Sequence, residues 1–187
     1  MGTLNVANLN LTGNTLTSNA NLNLTGSWTD APAGTVIQMA SASAGPARQT
    51  IASTTPVVIT GLSVDFTPRR SDSKILISAF ITSSVPHVVS VSVYQDGAAT
   101  ASTSGYTNTN SVNSDATRYE GQATNQTSYL SQVPVLTTLD AGNTNQRTYD
   151  IRHNASWGGN AYTVYVNDRG TSVMASFSRM FIYEVAQ

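Results

Sequence analysis

The chain has 187 residues, enough for one well-buried domain and a short appendage, and the absence of cysteine excludes disulfides, thiolate metal sites and cysteine nucleophiles. Only 10% of its residues are charged and the net charge is -1, which excludes the basic footprint of a nucleic-acid binder or of a protein drawn to acidic membranes. Polarity comes instead from Ser, Thr, Asn and Gln, which suit packed β structure and close subunit contacts.

The opening MGTLNVANLN has no basic segment leading into an apolar run, so it does not read as a secretory signal, and synthesis in a host cytoplasm is expected. Within the first 28 residues Asn8-Leu9-Asn10-Leu11-Thr12-Gly13-Asn14 returns as Asn21-Leu22-Asn23-Leu24-Thr25-Gly26-Ser27. Each copy alternates Asn with Leu and then turns, the pattern of a very short strand with one oily side. Two such units cannot enclose a core. The apolar side chains of the whole stretch (Leu4, Val6, Leu9, Leu11, Leu16, Leu22, Leu24 and Trp28) need cover from three copies wound together, from a partner surface, or from the chain's own domain. Residues 1–28 are therefore read as an arm for attachment or trimerisation, 29–34 as a linker rich in Pro and Gly, and 35–187 as the domain.

From Thr35 the chain reads as strand after strand. Thr35–Met39, Arg48–Thr54, Val57–Thr60 and Leu62–Phe66 precede a polar turn at Pro68–Ser73. Lys74–Thr82 places Ile75, Ile77, Ala79 and Ile81 on one face and Leu76 and Phe80 on the other. Val88–Tyr94 alternates cleanly, and Asp96-Gly97 signals a type I′ hairpin into Ala98–Thr103. Ser104–Thr127 is a long polar segment, and Tyr129–Leu139 carries Pro134, which marks an edge or a bulge. Thr148–His153, Tyr162–Val166 and Ser172–Val185 complete the set. The last stretch places Phe177, Phe181, Tyr183 and Val185 on one face and Met174, Met180 and Ile182 on the other. Both faces are apolar, so a facing sheet must cover one and a neighbouring subunit is expected on the other. About nine antiparallel strands with Gly and Asn turns describe an all-β sandwich or jelly roll.

Catalytic chemistry is not legible. His87 and His153 have no second ligand at metal spacing, Asp150 and His153 fall on opposite strand faces, no Gly-X-Ser-X-Gly elbow occurs, and Glu120 and Glu184 are the only glutamates. No enzyme, metal or cofactor is expected. Arg69-Arg70 beside Asp72 reads as a solvated or interface pair. Arg179 interrupts an apolar face, which calls for an acid across a subunit boundary or for a strand end that reaches solvent. Phe177, Arg179, Phe181 and Tyr183 are thus the candidate trimer-interface residues. Tyr106, Arg118, Tyr119 and Trp157, in or beside polar loops, are a candidate recognition loop, because flat rings among amides suit glycan and protein surfaces.

Gly-Thr-Val-Ile-Gln at Gly34–Gln38, Phe-Thr-Pro with Ser-Asp-Ser-Lys-Ile-Leu-Ile at Phe66–Ile77, and the closing Phe-Ser-Arg-Met-Phe-Ile-Tyr-Glu, together with the Asn-Leu repeat, resemble bacteriophage virion proteins, particularly those of cyanobacterial and marine phages. Fibre proteins and capsid decoration, or cement, proteins belong to that group. The final strand is similar in style to that of the trimeric jelly rolls of the tumour-necrosis-factor and complement-C1q type. The resemblance implies a homotrimer fixed to a virion by its arm, with a major capsid protein or a tail or neck protein as partner. Two roles compete: a head decoration protein, and a short fibre whose loops touch a host-surface glycan or protein.

Overall fold

The computed structural model describes residues 31–84, 88–100, 119–120, 130–157, 160–161, 163–168 and 176–187. Every regular element among them is a strand: β1 (Val36–Ala44), β2 (Gln49–Ala52), β3 (Val57–Phe66), β4 (Lys74–Ser84), β5 (Val88–Gln95), β6 (Ala98–Ala99), β7 (Tyr119–Glu120), β8 (Leu130–Asp140), β9 (Arg147–Trp157), β10 (Asn160–Ala161), β11 (Thr163–Val166) and β12 (Ser178–Val185). Several expected boundaries move. The terminal strand begins at Ser178 and not at Ser172, and the return limb of the hairpin spans only Ala98–Ala99. The two runs expected at Val57–Thr60 and Leu62–Phe66 are one strand, β3. Its register against β9 shifts between Val58 and Ser63, so its two halves carry different alternations and read as two elements. The arm residues Leu4, Val6, Leu9, Leu11, Leu16, Leu22, Leu24 and Trp28, and the loop residues Tyr106 and Arg118, lie outside the described residues.

Strands pair in nested order: β1 with β12, β3 with β9, β4 with β8, and β5 with β6 and β7, all antiparallel. This is one long hairpin rolled up on itself, the wiring of a jelly roll. The roll makes two sheets. The first runs β1-β12-β4-β8, with β11 and β2 extending it at one end; in the second, β9 lies between β3 and β5, and β6 and β7 flank the far edge of β5. The expected face of β4 is buried at Ile75, Ile77, Ala79 and Ile81, and β12 adds Met180 and Ile182. Leu62, Phe66, Val91, Val93, Tyr149 and Ile151 meet them from the second sheet, with Phe66 and Tyr149 edge to face at 6.5 Å. Asp96 and Gly97 both have positive φ (51° and 81°), as a type I′ turn requires, and the Asp96 carboxylate accepts the Thr148 amide at 2.8 Å.

Two polar groups, Ser178 and Glu184, sit on the core side of β12, and the second is charged. Glu184 is fully buried, and a buried carboxylate must be surrounded by donors. Oε2 accepts Gln38 Nε2 at 2.7 Å and the Arg69 amide at 2.9 Å; Oε1 accepts the Arg70 amide at 2.9 Å and the Ser73 hydroxyl at 2.6 Å. Gln38 Nε2 also donates to Thr67 O at 2.7 Å. The Gly34–Gln38 joint, the Phe66–Ile77 turn and the closing strand, three of the segments that carry the virion-protein resemblance, therefore converge on a single carboxylate. Arg69 and Arg70 act here through their backbone amides, while the Arg70 side chain pairs with exposed Asp72 at 2.7 Å. That hydrogen bond holds the Asp72 carboxyl below its usual range.

Candidate functional site

Because β12 lies between β1 and β4, its odd-numbered side chains face away from the core, and the strand registers align them with neighbours in rows. One row runs Met39–Tyr183–Leu76–Thr138, the next Ser41–Phe181–Ser78–Leu136, and the next Ser43–Arg179–Phe80–Pro134. Large apolar side chains occur in each of the four strands, interspersed with Ser41, Ser43, Ser78, Thr138 and Arg179. Leu136 is 62% exposed, Met39 61% and Phe80 41%, and half-buried Phe181 and Tyr183 stack with centroids 6.4 Å apart. Phe177, 51% exposed, precedes β12 on the same side. The Lys74–Asp140 ion pair closes one end of the face.

The four interface candidates Phe177, Arg179, Phe181 and Tyr183 are thus brought onto one outward surface. Arg179 is exposed there and has no acidic partner among the described residues. The contributions of Met39, Leu76, Phe80 and Leu136 were missed. Leu76 and Phe80 lie opposite the buried face of β4, as their spacing requires, and the alignment of β4 beside β12 makes the two outer faces adjoin. Pro134 sits in β8, which pairs with β4 alone among the described strands, in keeping with an edge.

The recognition candidates divide. Trp157 is the last residue of β9, and Tyr119 belongs to β7, so neither sits within a loop. Strands β7 and β9 flank β5 at Val89, which brings the two positions to the same end of the second sheet.

A Ser–His contact, not foreseen in the sequence, joins the sheets: Ser83 Oγ lies 3.2 Å from His153 Nε2. Ser83 Oγ also lies 3.0 Å from Ser84 O, an acceptor closer than the imidazole; with the Ser83 proton there, the imidazole donates to Ser83, the reverse of a general base activating a nucleophile. Both residues are fully buried, and Asp150 turns away to pair with Arg152 at 2.7 Å. Burial pushes the His153 imidazole down to about 4, which keeps it neutral. Among the described residues, no three His, Asp or Glu side chains are grouped to hold a metal.

No family model matches this chain, and no curated protein matches it. Among solved structures it is similar to a chain of the infectious bursal disease virus Gx strain structure, at 11% identity and a TM-score of 0.35, over 80% of this chain and 37% of that one. The chain thus spans little more than a third of that neighbour's length. The jelly-roll assignment rests on the nested strand pairing.

Proposed function

We propose that this chain is a virion structural protein, a bacteriophage capsid decoration (cement) protein in which three jelly rolls associate through the outer face of the β1-β12-β4-β8 sheet and residues 1–28 attach the trimer to a coat protein. The observation that carries the reading is the outer face on which Met39, Tyr183 and Leu76 share one row and Phe181, Leu136 and Phe80 lie in the two rows beside it, with small polar Ser41, Ser43, Ser78 and Thr138 and the Arg179 side chain between them. Solvent-facing sheets alternate apolar inside with polar outside, and a large apolar outer face marks an association surface. The three-fold order and the virion partner are supported by the sequence resemblance, and the low charge suits surfaces packed against copies of themselves. No catalysis is part of this role.

The test is the mass of the purified protein by light scattering, followed by antibody-gold labelling of intact virions of the source phage. A trimer, with label spread over the head, is the expected result. A monomer at micromolar concentration overturns the assembly reading, and label confined to the tail overturns the decoration reading. A second reading, a short fibre that recognises a host surface, is favoured by Tyr119 and Trp157 sharing one end of the second sheet. Label at fibre tips would select it.

A further inference from the structure

The strand registers bring one set of connections to the end of the sandwich where the chain enters it. In the first sheet Val36 pairs with Val185, Val185 with Lys74 and Lys74 with Asp140, and in the second Phe66 pairs with Arg147. Residues 31–35, 67–73, 141–146 and 186–187 therefore share this end. The chain that precedes Ala31 joins the domain here, since Ala31 packs with Ile37 and Ala186 and the Gly34 amide donates to Ala186 O at 2.8 Å.

Two loops at this end are held by buried charges. Glu184 accepts the Arg69 and Arg70 amides and the Ser73 hydroxyl, which fixes residues 67–73. Arg147, 9% exposed, does the same for residues 141–146: its guanidinium donates to Ala141 O and, at 2.9 Å, to Asn143 Oδ1. Inside that loop the Asn143 amide donates to Ala141 O at 2.7 Å and the Asn145 amide to Asn143 Oδ1 at 2.9 Å. The Ala141 amide donates to Ser73 O at 3.0 Å and so joins the two loops. On the other side the Arg70 guanidinium lies 3.5 Å from both Ala31 O and Gln187 O. One set of polar contacts thus forms a plate from the entry of the chain to the β8–β9 loop.

Connecting strands does not require such bracing. At the same end Asp96-Gly97 joins β5 to β6 through an exposed two-residue turn. A buried charge is costly unless it is fully hydrogen-bonded, and what it provides here is backbone held in one conformation beneath exposed side chains. Arg69, Asn143, Thr144, Asn145, Gln146 and Gln187 are exposed on the plate. Arg70 pairs with Asp72 and Lys74 with Asp140, whereas Arg69 makes no ion pair with another described residue. The plate therefore offers uncharged donors and acceptors around one unmatched cation. That is too little charge for a nucleic acid, and pre-ordered loops that lose little freedom on binding suit a protein surface.

We propose that this end of the sandwich is a second contact surface, docked on the coat protein beside the arm, and that its partner presents neutral hydrogen-bonding groups around a carboxylate that receives Arg69. The proposal rests on the reading in which residues 1–28 attach the protein to a virion, and adds that the domain itself touches the coat. In a trimer whose axis runs along the strands, three such plates share one base and their contacts reinforce one another.

The experiment co-sediments the full chain with purified particles assembled without it. Arg69→Glu and Asn145→Trp change exposed side chains and keep the backbone amides that brace the loops. Each should raise the concentration needed for half-occupancy about tenfold, with unchanged oligomer mass and thermal midpoint. Thr54→Trp, exposed at the opposite end before the start of β3, should bind as the native chain does. Native binding by both Arg69→Glu and Asn145→Trp overturns the proposal, as does a loss confined to Thr54→Trp. Deleting residues 1–28 separates this surface from the arm. If the deletion abolishes binding while both substitutions leave it intact, the arm acts alone and only the docking surface is overturned. If the arm-deleted chain still binds and the substitutions weaken it, the docking surface stands and the role of the arm falls. A full chain that does not sediment with particles overturns both.

Discussion

Gln38 and Glu184 face each other across the β1–β12 pair and are joined by a 2.7 Å hydrogen bond from the amide to the carboxylate. Four donor groups converge on Glu184, so replacing an oxygen with an amino group sets donor against donor inside the sandwich. Glu184→Gln is expected to lower unfolding free energy by about 2–4 kcal/mol in urea titrations. Gln38→Ala removes one donor and should cost about 1 kcal/mol. Equal losses for the two variants would show that the turn at Pro68–Ser73 does not depend on the carboxylate.

Acid should loosen the seam where His153 meets Ser83. The folded imidazole titrates at about 4, against 6.5 when exposed. Its contribution is therefore fully present above pH 6.5. As the pH falls from there toward 4, the unfolded chain binds a proton that the folded chain does not, and stability is lost, by about 3 kcal/mol at the lower limit. Unfolding free energies measured across this window should decline more steeply in the native chain than in His153→Leu. Parallel declines would assign the acid sensitivity to other groups.

On the outer face, Leu136→Asp and Phe80→Asp should dissociate the oligomer at micromolar concentration while shifting folding stability by less than about 1 kcal/mol, because both side chains already point to solvent in the protomer. Arg179→Ala should likewise weaken the oligomer more than the fold. Analytical ultracentrifugation beside thermal melts separates the two effects. An unchanged mass with a large fall in melting temperature would place these side chains in intramolecular packing.

Along the edge of β3 that no other described strand pairs, the Gln49 side-chain amide bonds Val58 O and the Thr60 amide as a peptide group would. Gln49→Ala should speed hydrogen exchange at the Thr60 amide roughly tenfold and raise concentration-dependent aggregation. An unchanged exchange rate would mean that the edge is protected by its approach to β1.

Deleting residues 1–28 should leave a folded domain that no longer attaches to virions, since the apolar arm is the proposed anchor. Arm-deleted protein that still co-sediments with particles would locate the attachment in the jelly roll.

Strands with strict alternation were legible from sequence because burial enforces period two: Ile75, Ile77, Ala79 and Ile81 lie in the core as their spacing requires. The hairpin at Asp96-Gly97 and the edge position of Pro134 were legible because local backbone chemistry decides both. The outer face was only half visible. Phe181 and Tyr183 announced it, whereas Met39 and Leu136 join it through pairings between residues far apart in the chain, and no local pattern encodes those. Glu184 and Asn167 were missed for a related reason: a buried polar side chain acquires meaning from donors and acceptors brought in by other strands.

Nesting the first strand against the last gives the molecule a root and a crown. Ala31 packs with Ile37 and Ala186, and Gly34 donates to Ala186 O at 2.8 Å, so the residues that follow the arm and those at the carboxyl end leave side by side. The ends of β4, β8 and β9 nearest residues 85–87, 121–129 and 158–159 lie at the opposite pole, together with β7. A protein rooted through its arm would hold those strand ends far from the surface beneath it. A tag fused after Gln187 would sit beside such a root, at the pole opposite those ends of β4 and β9.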